Sequence, residues 1–303
     1  MKLIIDEQND GKRIDAYLAE NLQDTSRSKI QKLIKSNDVI VNNFRIKPSY
    51  MLKEDDIVEI ISIDKLSNNI EIFPQNIPLD IVWEDENMAV INKPSGMLTH
   101  PTTLESENTL VNALLYKYKD NLSDLNGYMR PGIVHRLDRN TSGLIMVAKN
   151  NNTHEFLVNR MKERKFNKVY LAVVKGVIEE NNFIIDTPIG RHITSPNKMA
   201  VNGKNAKEAI SKIKVLERFK DASFVEVNIL TGRTHQIRVH LSSISHPVYN
   251  DTLYGFGKMK IKTEEQVLQS YKLGFIKPFS DEYIELQIEA DEKIKKVLNF
   301  LKN

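Results

Sequence analysis

The sequence predicts an α+β protein in two parts: a small α+β unit over residues 1–63 and a larger α+β domain over 81–303, joined by a linker at 64–80. Three observations predict this. Within residues 1–63, apolar residues recur at helical spacing and then give way to short β-rich runs. A polar stretch with Asn68, Asn69, Pro74 and Pro78 breaks the pattern. Beyond it, β-branched runs and helical segments succeed one another to the C-terminus. Of the 303 residues, 41% belong to the apolar set and 27% are charged. That composition supports a sizeable core and excludes a disordered or fibrous chain.

The elements follow in order. Ile14, Tyr17 and Leu18 have helical spacing, as do Ile30, Leu33 and Ile34, whose helix can begin at Thr25 or Ser26, both good N-caps. The other faces of this second helix carry Arg27, Lys29, Lys32 and Lys35. A charge run of this kind suits either a solvated amphipathic helix or a phosphate-binding face. Val39–Asn43 reads as a strand entering a turn, and Lys53–Ile60 as a turn and strand. In the larger domain, strands are expected at 81–83, 88–91, 143–148, 169–174 and 224–230, the third of them so apolar that both faces must be covered. Thr234–Ile244 and Lys293–Leu301 have helical patterning, and the polar stretch 191–208 reads as a mobile loop.

No apolar run approaches the ~20 residues that cross a bilayer, so no membrane association is expected. Met1–Lys12 lacks the pattern of a secretion signal. Cysteine is absent, which excludes disulfides, thiol nucleophiles and sulfur-ligated zinc and makes a cytoplasmic setting the natural reading. The net charge of +3 is too small to imply nucleic acid, so the placing of the cations must decide.

Four segments could carry chemistry. In 132–148, His135, Arg136, Asp138 and Arg139 lie between two apolar runs, where charges must be paired or reach a cleft. An Arg–Asp pair that ties a loop down is the bland alternative. The order His-Arg-Leu-Asp superficially resembles a protein-kinase catalytic loop. However, Leu137 disrupts the spacing, and the Gly-rich loop, strand lysine and Asp-Phe-Gly are missing. In 231–241, a strand ends, Gly232 turns, and a helix begins with Arg233 before it and Arg238 within it. The N–H groups there suit a phosphate. His235 and His240 are wrongly spaced for a helical zinc pair, and no metal is expected. Asn92–Pro101 is a Pro- and Gly-punctuated loop. Arg160–Tyr170 is a basic run with Phe166 and Tyr170, suited to phosphate contact and base stacking or else to a solvated helix end.

Together the motifs resemble a family. His-Arg-Leu-Asp-Arg-Asn-Thr-Ser-Gly-Leu at 135–144 is similar to the signature of RluA-type RNA pseudouridine synthases. Asn-Lys-Pro-Ser-Gly at 92–96 resembles their first motif, and Gly-Arg-Thr-His-Gln-Ile-Arg-Val-His-Leu at 232–241 their third. The resemblance runs from about residue 80 to the C-terminus. Residues 1–63 resemble the alpha-L RNA-binding module of a ribosomal protein, which members of the RluC and RluD kind carry in front. His135 points to this branch, since the RsuA-like branch has Gly there.

The resemblance implies a catalytic domain with a mixed, largely antiparallel sheet and a cleft across its middle. It implies Asp138 as the essential carboxylate, Arg238 as its partner (with Arg233 the alternative or a phosphate ligand), and Tyr170 as a group stacking on the base. It implies no cofactor. RNA would be contacted by Lys93, His135, Arg136, Arg139, Lys162, Arg164, Lys165 and Arg233, and by Arg27, Lys29, Lys32 and Lys35 of the small unit. The expected substrate is large-subunit ribosomal RNA, acted on by a monomer through base flipping. Transfer RNA, or a role as a non-catalytic ribosome-assembly factor on the same basic surfaces, are the alternatives. A glycosylase ranks below these, because no second acid sits within the motifs to activate water.

Overall fold

The computed structural model describes residues 1–22, 25, 27–61, 71–102, 104–256, 261, 263 and 265–303. The chain forms two compact units, Met1–Glu71 and Ile72–Asn303. Ser26, one of the two expected caps, and 64–70 of the expected linker lie outside the described residues. From Ile72 onward the chain is fastened to the second unit. Ile72 and Leu79 pack on its core, and Phe73 O and Gln75 N bond to Asn112.

In the first unit, β1 (Lys2–Ile4), α1 (Ile14–Asn21), α2 (Arg27–Lys35), β2 (Val39–Val41), β3 (Phe44–Arg45) and β4 (Ile57–Ile60) build a four-stranded sheet in the order β1-β4-β2-β3. All its pairings are antiparallel. The helical stripes read from the sequence form the core: Ile14, Tyr17 and Leu18 meet Ile30, Leu33 and Ile34 over Val39, Val41, Val58 and Ile60. Asp15 is buried beneath α2 and accepts from Arg13, Arg27 and Gln31. These donors, Arg13 above all, hold its carboxyl far below the ordinary aspartate range despite burial.

The second unit contains β5 (Ile81–Glu84), β6 (Met88–Lys93), α3 (Leu110–Tyr118), β7 (Ser142–Ala148), α4 (Asn151–Lys162), β8 (Asn167–Lys175) and β9 (Asn182–Asp186). There follow β10 (Ile189–Arg191), β11 (Met199–Val201), β12 (Lys204–Lys207), β13 (Ile210–Arg218), β14 (Ala222–Ile229), α5 (Gln236–Ser243), β15 (Leu268–Ile276), β16 (Tyr283–Gln287) and α6 (Glu292–Lys302). Among the described residues the main sheet has nine strands in the order β5-β6-β7-β15-β8-β14-β13-β9, with β16 also on β15. Only β15 and β7 pair in parallel, so the sheet is mixed and largely antiparallel. All seven residues of β7 are buried. Ile145 and Val147 face one core, and Leu144, Met146 and Ala148 the other, which explains the unbroken apolar run.

Gly143 sits where β15 begins beside β7, at φ 108°. A Cβ there would lie 2.0 Å from Ser270 O, so no other residue fits. This close approach fixes the end of β7, directly after the segment that carries Asp138.

The stretch 191–208 is not the loop that its polarity suggests. β10, β11 and β12 form a three-stranded antiparallel sheet. It buries only a small cluster, in which Ile189 and Met199 meet Ala209, Val239 and Tyr254, while every residue of β12 is exposed. Strands this short, with so little covered, leave almost no apolar periodicity to read.

Candidate active site

Asp138 follows the bridge at Ile133 and precedes β7. Arg238 lies in the first turn of α5, a helix in which Gln236 to Leu241 are all buried. The two meet: Arg238 Nη1 donates to Asp138 Oδ2 at 3.0 Å. The rest of the guanidinium is held by Asp251, with Nε to Oδ2 at 2.7 Å and Nη2 to Oδ1 at 2.9 Å. Asp251 also accepts from the N–H groups of Leu253 and Tyr254. Burial opposes the charge of Arg238, and Asp251 and then Asp138 raise its already high pKa further. Asp251 thus fixes the guanidinium in a bidentate grip and presents its free edge to Asp138.

Tyr170 projects from the middle of β8, between β14 and β15. It is buried, and burial, with a contribution from the charge of Asp138, raises its hydroxyl well above the ordinary tyrosine value. It therefore presents a neutral aromatic face. Asp138, Tyr170 and Arg238 line one cavity of about 570 Å³, whose walls also include His135, Arg136, Lys162, Arg164, Lys168 and Arg233. The volume suits a single nucleotide and the cations suit phosphate.

The remaining expected residues divide. Arg136 is exposed at the cavity with no ion-pair partner among the described residues, free to reach a ligand. Arg233 is not the partner of Asp138; its Nε donates to Glu208 O, from the cavity wall. Arg164 lines the cavity but pairs with Glu208, and Lys165 pairs with Glu163 outside it. Arg139 points away and forks onto Glu105. His135 is half-buried: its Nε2 accepts from Met146 N–H at 2.9 Å, and burial lowers its pKa to about 3, so it stays a neutral brace of the loop. In the first unit Lys32 and Lys35 are exposed and Lys29 is half-buried, while Arg27 is tied to Asp15.

Lys93 is a correction to the expected RNA contacts. It has no exposed surface, and its ammonium donates to Pro94 O, Met97 O and Arg139 O. Burial, then the charge of Lys293, lowers its pKa to about 7. It is one of several donors clasping the backbone around Asp138. Thr99 Oγ1 donates to Leu137 O, while Ser95 Oγ and Lys293 Nζ both donate to Asn140 O. The Asn92–Pro101 loop is therefore the clamp that holds the carboxylate loop, which is the physical reason for its fixed shape.

Sequence reasoning missed Asp251 and the contact of His235 Nε2 with Asp138 Oδ2 at 3.9 Å. Asp251 follows α5 with no motif-like spacing to mark it. Lys168 closes the basic run before Tyr170 and is brought to about pH 8 by burial and Arg233. Among the described residues, no group of three or more His, Cys, Asp or Glu side chains is placed to hold a metal ion, and no helix is long and apolar enough to cross a membrane.

Comparison with known proteins agrees with this geometry. The family model described as RNA pseudouridylate synthase matches residues 87–243, and a model of the S4 domain matches 12–58. A protein of Aquifex aeolicus described as an uncharacterized RNA pseudouridine synthase is 41% identical over 97% of this chain and 95% of its own length. The chain belongs to the RluA-type RNA pseudouridine synthases. A ribosomal large subunit pseudouridine synthase D of Zymomonas mobilis is 35% identical to this synthase over 99% of this chain and 97% of its own. Among solved structures, human RNA pseudouridylate synthase domain containing 1 superposes with a TM-score of 0.59 at 26% identity, covering 75% of this chain and 96% of its own. The synthase is thus an isomerase that converts uridine to pseudouridine in RNA.

Replacing Lys93 tests the clamp. Lys93→Met removes the shared donor of three part-buried carbonyls, each bond worth about 0.5–1.5 kcal/mol. Thermal melting is expected to show a loss of stability, and single-turnover assays a drop in pseudouridine formation of about 100-fold.

Proposed function

We propose that the synthase acts on uridines of large-subunit ribosomal RNA, with Asp138 as the essential carboxylate. The observation that carries this reading is the convergence of Asp138, Arg238 and Tyr170 in one cation-lined cavity. The reaction breaks the bond from N1 of the base to C1′ of the ribose, turns the base, and joins C5 to C1′. A proton leaves C5 and N1 gains one. A single carboxylate, held in one rotamer by Arg238, is enough to act on ribose or base, and Tyr170 offers a flat surface on which the base turns.

A paired uridine must first leave its stack, at a cost of a few kcal/mol. Arg136 is free to hold the displaced nucleotide or fill its place. Arg164, Lys162, Lys168 and Arg233 contact the flanking backbone, and Lys29, Lys32 and Lys35 of the first unit bind more of it, offsetting that cost. Asp251, the acid nearest this pair, has both oxygens occupied by Arg238 and backbone N–H groups. It cannot activate water, and Glu208, a further acid on the cavity wall, is paired with Arg164, which disfavours glycosidic hydrolysis. The choice of RNA is supported by the named activity of the Zymomonas mobilis relative. In this reading the enzyme works as a cytoplasmic monomer without a metal and contributes to ribosome maturation.

The test is pseudouridine mapping of ribosomal and transfer RNA from cells with and without the gene, and with Asp138→Ala supplied back. Large-subunit sites that vanish, and return only with intact Asp138, are the expected result. Sites lost from transfer RNA instead would overturn the substrate. No change in any RNA would overturn the reading and leave an assembly factor.

A further inference from the structure

His235 sits directly before α5 with φ 56° and ψ 21°, a left-handed conformation that is uncommon outside glycine and asparagine. Its side chain makes no capping bond to the helix. Such a backbone persists only where its surroundings hold it, and it gathers at functional sites. Its side chain is held by a short chain of hydrogen bonds from the small sheet β10–β12. Met199 N–H donates to Tyr254 Oη at 2.9 Å, and Tyr254 Oη lies 2.7 Å from His235 Nδ1. The Tyr254 ring meets the imidazole edge-on at 73°, and the Arg238 guanidinium lies 5.1 Å from the ring centre.

The direction of that chain follows from counting donors. The Tyr254 oxygen already accepts from Met199, and among the described residues its own proton has one partner in line, Nδ1 of His235. Nδ1 is then an acceptor, and a neutral imidazole must carry its proton on Nε2. That nitrogen lies 3.9 Å from Asp138 Oδ2, the oxygen that also receives Arg238. The groups facing the ring are Asp138, Arg238, Asp251 and Arg136. Burial, with Arg238 and Arg136, outweighs the two carboxylates and lowers its pKa, so the ring is neutral at pH 7. At 3.9 Å the contact is electrostatic and not yet a hydrogen bond. Catalytic hydrogen bonds commonly tighten only when substrate is seated.

We propose that His235 is a positioning residue for Asp138, its Nε2–H aimed at Oδ2 by the Met199–Tyr254 relay and closing onto that oxygen as the uridine enters. Two donors, Arg238 and His235, then fix one carboxylate oxygen and leave Oδ1 for the reaction. The sheet β10–β12, which looks like a polar surface insert, thereby sets the orientation of a group in the catalytic cavity. This inference rests on the reading of Asp138 as the essential carboxylate.

Two measurements on the full chain test it. The first is the ¹⁵N NMR spectrum of histidine-labelled protein, with His235 assigned from the peak absent in His235→Gln. A ring protonated on Nε2 alone near pH 7, becoming a mixture of tautomers in Tyr254→Phe, is expected. A wild-type ring protonated on Nδ1 overturns the proposal. The second is single-turnover kinetics on unmodified large-subunit ribosomal RNA. His235→Ala should lower the rate about 30-fold with little change in half-saturating RNA concentration, and Tyr254→Phe about 5-fold. His235→Gln, whose amide nitrogen can donate from the place of Nε2, should recover most of that loss. A His235→Gln protein that melts like wild type but is as slow as His235→Ala overturns the proposal, and so does an unimpaired His235→Ala. Wild-type protein inactive on every RNA would instead sink the functional reading, and the tautomer would still judge the relay by itself.

Discussion

Asp138→Asn should abolish pseudouridine formation while RNA binding stays within about twofold of wild type, since the cavity cations proposed to contact phosphate are untouched. The expected loss is on the order of 10⁴-fold, the size seen when an essential active-site carboxylate is neutralised without altering its shape. The amide still accepts from Arg238, so the fold should survive, and thermal melting checks this. Single-turnover assays and gel-shift titration of the same RNA separate the two effects. Parallel loss of binding and rate would mean that Asp138 organises the RNA site and does no chemistry.

Arg238→Met is expected to be nearly as damaging, for a different reason. It removes the partner of Asp138 and strands Asp251, whose side chain has no exposed surface. Breaking a buried pair this way costs about 3–5 kcal/mol. Melting should show that loss, and activity should fall at least 100-fold. Asp251→Asn should fall between wild type and Arg238→Met, because it keeps the volume and an acceptor while losing the bidentate charge. The pair also fixes an acid limit. Burial pushes Asp251 up, but Arg238 and the N–H groups of Tyr254 and Leu253 hold it below the ordinary aspartate value. Its stabilisation is complete above the unfolded pKa, about 3.9, and drains away as pH falls below that toward the lower folded value. Acid titration of wild type should therefore show a loss of stability below about pH 4 that is reduced in Asp251→Asn.

The site was legible to the extent that its chemistry travels in compact motifs. Asp138, Tyr170 and Arg238 could be named as candidates from the sequence through the motifs that resemble the family; by patterning alone Tyr170, in an apolar strand, reads as core. The structure also explains why Arg238 and not Arg233 meets Asp138: the first lies one turn into a buried helix, the second on the turn before it. Asp251 and Tyr254 could not be found that way, since they act across space from a segment without periodicity. Lys93 was misread because a lysine in a loop looks like a surface cation until its three carbonyl partners are known. Of the elements, α1, α2 and β14 stood out through 3.6- or 2-residue patterns, and β7 through its unbroken apolar run. By contrast, α4 buries only Thr153, His154 and Leu157, and its polar remainder hid it. The short strands β10 to β12 hid for the same reason.

The place of β15 in the main sheet bears on how the polypeptide must be made. This strand, residues 268–276, lies between β7 and β8, which precede it by about a hundred residues or more in the chain. As the ribosome releases the chain from its N-terminus, β7 and β8 therefore emerge long before the strand that joins them. Until it arrives each presents an unpaired, strongly apolar edge, open to pairing with another chain. The segment before β7, which carries Asp138, likewise lacks Lys293 until α6 has emerged. A nascent or truncated product would thus bind RNA through its first unit without modifying it and would be prone to aggregate. Competence must wait for β15, which completes the sheet, and for α6, which completes the clamp.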